Sequence, residues 1–128
     1  MLAEKLSGAV GNGTLPTYIE DVFSTWLSNG NSSTQNIVNG IDLSTKGGLV
    51  WGKIRSTTGD HQFFDTVRGQ KSILFSNLTN AAYTAAANQI TYNTDGFSWT
   101  GSGDDAINVS GYTYASWTFR KQPKFFDV

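Results

Sequence analysis

Gly111-Tyr-Thr-Tyr-Ala-Ser-Trp-Thr-Phe-Arg-Lys121 is the longest clean alternation in the chain, and its reading decides the fold. Side chains along a strand point alternately to its two faces. Tyr112, Tyr114, Ser116, Thr118 and Arg120 therefore share one face, and Thr113, Ala115, Trp117, Phe119 and Lys121 share the other. Aromatic and β-branched residues fill it, as suits a pleated, half-buried surface. The stretch is expected to be a central strand of a sheet, with Trp117 and Phe119 as its anchors in the core.

Working outward, the same signals recur at short intervals. Strands are expected over Asp21–Ser28, Gln35–Val38, Gly47–Arg55, His61–Thr66, Ser72–Asn77, Gln89–Thr94 and Gly96–Thr100. Between them stand turn residues such as Asn29-Gly30, Asn39-Gly40 and Asp95-Gly96, which accept positive φ at little cost. The alanines of Asn77–Asn88 form the only helix-friendly patch, too short to hold a helix alone. The closing Lys124-Phe-Phe-Asp-Val128 reads as the middle of a strand. Eight or nine short strands with no convincing helix predict an all-β fold, an antiparallel β-sandwich of jelly-roll or lectin-like type. A short irregular N-terminal segment precedes it, so the division is residues 1–20 as an extension and 21–128 as the sandwich domain.

Composition agrees and narrows function. The 128 residues hold 14 glycines and 13% aromatics but only 15% charged residues, which is strand-and-turn material. With no cysteine there is neither a disulfide framework nor a thiolate metal site. A net charge of -1 without a basic patch argues against nucleic acid or anionic lipid as a partner. No apolar run approaches the ~20 residues that span a bilayer, so membrane insertion is not expected. Met1–Gly8 lacks the long apolar core of a secretory signal.

Candidate chemistry is sparse. His61 is the only histidine and reads as a strand-edge polar residue, since no carboxylate flanks it at a ligand-like spacing. The glycine pairs lack the lysine and the strand–loop–helix setting of a nucleotide loop, so no cofactor is expected. The acids sit beside Gly, Asn, Ser or Thr, where Asp commonly bonds neighbouring amides. Four tryptophans raise the prospect of sugar stacking. Trp51 and Trp117, among apolar neighbours, read as core, whereas Trp99, next to the Gly101 loop, is the candidate for exposure. Trp99 with Asp104 and Asp105 thus forms the candidate glycan site. Asp104-Asp105 does not match the spacing of a calcium loop, so no metal is assigned there. Leu2, Leu6 and Val10 could line one face of the extension and mount it on a partner. Asn12, Asn31, Asn77 and Asn108 match the glycosylation pattern, as chance allows in so Asn-rich a chain.

Several blocks carry a family resemblance. Asp21-Val-Phe-Ser-Thr-Trp-Leu, Asn39-Gly-Ile-Asp-Leu-Ser, Gly47-Gly-Leu-Val-Trp-Gly-Lys-Ile-Arg, Phe64-Asp-Thr-Val-Arg-Gly, Asn93-Thr-Asp-Gly-Phe and Gly111–Val128 occur in that order. Together they resemble large structural proteins of tailed phages from marine and cyanobacterial hosts. The resemblance covers residues 21–128 and implies a lectin-like β-sandwich, with no catalytic residues to carry over. It implies a non-enzymatic virion protein, a tail or capsid fibre or decoration component attached through its N-terminal segment. The partners it implies are other capsid, neck or tail proteins, further copies of the chain, and host surface glycan. The alternatives are a carbohydrate-binding module, or a polysaccharide-degrading enzyme with two carboxylates about 5–10 Å apart.

Overall fold

The computed structural model describes residues 15–101 and 107–128. In chain order these hold a four-residue helix α1 (Ile19–Val22) and nine strands. The strands are β1 (Phe23–Asn29), β2 (Gln35–Val38), β3 (Gly48–Ile54), β4 (Gln62–Asp65), β5 (Ser72–Phe75), β6 (Tyr83–Thr84), β7 (Ile90–Tyr92), β8 (Gly96–Trp99) and β9 (Thr113–Arg120). Six strands form one sheet in the order β1-β9-β3-β4-β5-β6, and three form a second in the order β2-β8-β7. Each strand pairing is antiparallel. The two sheets pack face to face, so the fold is an all-β sandwich, and the opening stretch of the sequence is indeed a central strand.

The filling between the sheets departs from expectation in one respect. From the smaller sheet come Ile37, Ile90, Phe97 and Trp99; from the larger come Val50, Phe64, Ile73 and Tyr114, with Ile41, Leu43 and Ile107 from loops. The inward face of β9 is thus Tyr114, Ser116 and Thr118, and Trp117 and Phe119 point the other way. Strand periodicity separates two faces but does not say which one is covered. Here the cover is decided by Trp99. A Cβ on Gly52, the partner of Ser116, would fall 3.2 Å from the Trp99 ring and 2.2 Å from Ile107. Small residues on the inner side of β3 and β9 make room for that indole. The polar groups this buries are matched: the Tyr114 hydroxyl accepts the Val109 N–H at 2.9 Å, and Asn39 Nδ2 donates to Thr118 Oγ1 at 3.0 Å.

Strand ends depart from expectation where local bonding intervenes. Ile19–Val22 is a helical turn, with the Tyr18 N–H donating to the Asp21 carboxylate at 2.9 Å, so β1 starts only at Phe23. Lys124–Val128, expected as strand, is not one: Pro123–Phe125 form a turn closed by a single bridge between Gln122 and Phe126. The β7–β8 hairpin turns over Thr94-Asp95, closed by the Asn93 N–H on the Gly96 carbonyl at 2.9 Å. Gly96 is needed for a different reason: a Cβ there would sit 1.9 Å from the Ile37 carbonyl oxygen of the neighbouring strand.

One partly buried phenol gives a pH test of this packing. Burial, and then the nearby negative Asp65, hold the Tyr92 phenol well above its ordinary range. Its folded-state pKa is raised, so stability is fully present below the unfolded value of about 10 and drains away as pH rises past it. Urea titrations at about pH 9 and pH 11 should show Tyr92→Phe gaining on the wild type as pH rises. Parallel pH dependences for the two proteins would refute the assignment.

Candidate functional site

The outward face of the larger sheet carries the side chains that sequence periodicity assigned to the core. Reading across the register, Leu74, Phe63, Trp51, Trp117 and Thr25 stand in one row over five strands. A second row runs Leu49, Phe119 and Phe23, and a third runs Lys53, Ala115 and Leu27. Trp51 and Trp117 lie 4.6 Å apart between ring centroids, and Phe63 meets Trp51 edge-on at 5.5 Å. Phe119 sits between Phe23 at 5.1 Å and Phe126 at 5.5 Å, which ties the C-terminal turn onto the same face. These rings are partly exposed, and Leu27 is 63% exposed.

Polar capacity on this face is small. Trp51 Nε1 donates to His61 Nδ1 at 3.2 Å, which occupies both groups. Lys53 Nζ donates to the Ile54 carbonyl at 2.9 Å. The two indoles lean on each other at 39° and do not form a flat shelf. Such a surface offers apolar area and few directed hydrogen bonds.

The outer side of the smaller sheet is its opposite. Asn36, Ser98 and Thr91 align across β2, β8 and β7. Ser98 Oγ donates to Asn36 Oδ1 at 2.6 Å and accepts from Asn93 Nδ2 at 2.9 Å. The sandwich is therefore two-faced, apolar outside one sheet and hydrogen-bonding outside the other.

The residues singled out from sequence fare differently. Trp99 is 1% exposed, packed edge-on against Phe64 at 5.4 Å and Phe97 at 4.8 Å, and cannot present its indole to a sugar. Trp51 and Trp117, expected in the core, lie on the outer face of the larger sheet and are partly exposed. Asp104 and Asp105 lie outside the described residues, as do Leu2, Leu6 and Val10. Five of the described acids are engaged locally: Asp21 with the Tyr18 N–H, Asp65 with Arg68, Asp127 with Lys121 at 3.1 Å, Asp60 with Asn77 Nδ2 at 2.8 Å and Asp42 with Thr45. Among the described residues no three His, Asp or Glu side chains group as metal ligands would. Sequence reasoning missed the aromatic row for want of one fact, which sheet face the second sheet covers.

The chain belongs to the family described as a domain of unknown function, DUF7483, whose match spans residues 19–124. No curated protein matches the chain, and no solved structure does.

Proposed function

We propose that this domain is a non-enzymatic structural module of a phage virion protein, docking on another protein of the particle through the outer face of its larger sheet. The observation that carries the reading is the row Leu74–Phe63–Trp51–Trp117, three rings and a leucine left on the outer face of a sandwich that already has its own core. Contiguous exposed apolar area marks interaction surfaces, and aromatic residues supply most hot spots in protein interfaces. The virion setting comes from the resemblance of residues 21–128 to phage structural proteins. A protein partner suits this face better than a glycan, because sugar recognition needs free hydrogen-bonding groups beside the rings. Here Trp51, His61 and Lys53 are bonded to their own chain.

Trp117→Lys tests it at one position. The lysine stem can lie along the sheet and keep the fold while its charge opposes an apolar docking surface. Particles assembled with this variant should carry the protein at roughly a thirtieth of the wild-type level or less, by quantitative mass spectrometry of purified virions. A folded Trp117→Lys protein incorporated as well as the wild type would overturn the outer-face reading. Absence of the wild-type protein from virions would overturn the virion reading itself.

A further inference from the structure

We infer that β1 is a self-pairing edge, through which two copies of the chain join their larger sheets about a two-fold axis. Among the described residues four strands end the two sheets: β6 with two residues, β7 with three, β2 with four and β1 with seven. Natural proteins protect edges by shortening them, charging them, inserting proline or bulging them. The first three edges are short. β1 is long and, reading Phe-Ser-Thr-Trp-Leu-Ser-Asn, has no charge, no proline and no glycine. Its register with β9 runs unbroken from Phe23 to Asn29, so no bulge turns it aside.

The direction of its free hydrogen-bonding groups follows from one bond. The Gly30 N–H donates to the Tyr112 carbonyl at 2.8 Å, just beyond the Asn29–Thr113 pair. Bonded pairs alternate along an antiparallel ladder, so Ser28, Trp26 and Ser24 bond toward β9 while Thr25 and Leu27 turn their N–H and C=O groups outward. At the strand's two ends this outward row is already used. The Phe23 N–H donates to the Ile19 carbonyl, and the Asn29 carbonyl accepts Gln35 Nε2 at 3.0 Å. Among the described residues the middle is open, its one bond a long one of 3.4 Å from Ser24 Oγ to the Thr25 carbonyl, which keeps a second lone pair for a partner strand.

That middle is nearly a palindrome, Ser24-Thr25-Trp26-Leu27-Ser28, and its outward residues are symmetric about Trp26. A second copy laid antiparallel with Trp26 on the axis pairs Thr25 with Leu27 twice, matching two donors and two acceptors on each strand. It sets Ser24 against Ser28 and Trp26 against Trp26, with no like charges opposed. Trp26, 38% exposed, and Leu27, 63% exposed, are then covered. The pairing uses the edge of the sheet and leaves the row Leu74–Phe63–Trp51–Trp117 available, so it stands independently of the docking reading above.

The test uses the full chain. Sedimentation equilibrium should show a concentration-dependent dimer. Trp26→Lys and Trp26→Glu should each be monomeric, because like charges would meet on the axis, and mixing the two should restore a heterodimer. Leu27→Pro, which deletes an outward N–H at an edge where proline is tolerated, should also weaken the dimer at least tenfold with the far-UV spectrum unchanged. The chain has no cysteine, so Trp26→Cys should oxidise to a single disulfide-linked dimer, while Ser24→Cys, displaced from the axis, should not. A wild-type monomer at every concentration would overturn the proposal. So would a dimer indifferent to the Trp26 charges and without the Trp26→Cys cross-link.

Discussion

Trp99→Ala is expected to destabilise the sandwich by about 3–5 kcal/mol, the largest single loss of any tryptophan in the chain. The indole is 1% exposed and fills the space between the sheets, against Phe64 and Phe97 on two sides and over Gly52 on a third. An alanine removes the whole ring from a site whose walls are strands of two sheets, which cannot collapse far without breaking register. Against a typical total of about 5–15 kcal/mol, that loss takes roughly a fifth of the stability or more. The control is Trp117→Ala. It removes the same side chain from a position with no second sheet above it, and should cost roughly 1–2 kcal/mol. Urea melts followed by far-UV circular dichroism compare the two. Equal losses, or a larger loss for Trp117, would reverse the assignment of inner and outer faces.

Those two tryptophans mark the boundary between what is legible in the sequence and what is not. Strands announce themselves through alternation and turn residues. The sequence pattern accordingly places Gln35–Val38 with both its ends, and β3, β4, β5, β7 and β8 to within two residues at each end. Facing is a different kind of fact. In Tyr114-Ala-Ser-Trp-Thr-Phe119 the larger rings sit at Trp117 and Phe119, and ring size alone argues that they face the core. What overrules size is shape across the sandwich. Gly52 on β3 and Ser116 on β9 form a recess, and Trp99 comes from a strand some 47 residues beyond the glycine to fill it. No local window contains that relation. The same limit hides the aromatic row, whose members Leu74, Phe63, Trp51 and Trp117 meet only through register. The end of the chain misleads for a simpler reason. Gln122 to Phe126 satisfies its backbone within a turn, and the Phe126 ring then finds Phe119, so two apolar residues in sequence need no strand.

Asn108→Ala is expected to cost about 2–4 kcal/mol, although the residue looks like loop punctuation in the sequence. Asn108 is 1% exposed and has φ of +80°, a conformation that asparagine tolerates and alanine does not. Its side chain is wholly engaged with the β1–β2 turn. Oδ1 accepts the Asn31 N–H at 3.1 Å, and Nδ2 donates to Asn31 Oδ1 at 2.9 Å and to the Ser33 carbonyl at 2.7 Å. Its own carbonyl accepts the Ser32 N–H at 2.8 Å. The turn it holds is pressed close: a Cβ on Gly30 would lie 1.9 Å from the Val109 carbonyl oxygen. Such an amide is a structural clamp, so the Asn-Val-Ser acceptor pattern at this position has no free side chain to offer. Two effects contribute to the loss and can be separated. Asn108→Gly keeps the positive φ and loses the three side-chain bonds, so it should be milder than Asn108→Ala by about 1 kcal/mol. Asn108→Asp keeps the acceptor but turns a carboxylate oxygen on two oxygens that were being donated to. It should therefore be at least as damaging as alanine at neutral pH. Chemical denaturation of the three variants decides the matter. Three near-neutral results would mean the turn is held by its backbone alone, and a glycine variant as damaging as alanine would mean that φ contributes nothing.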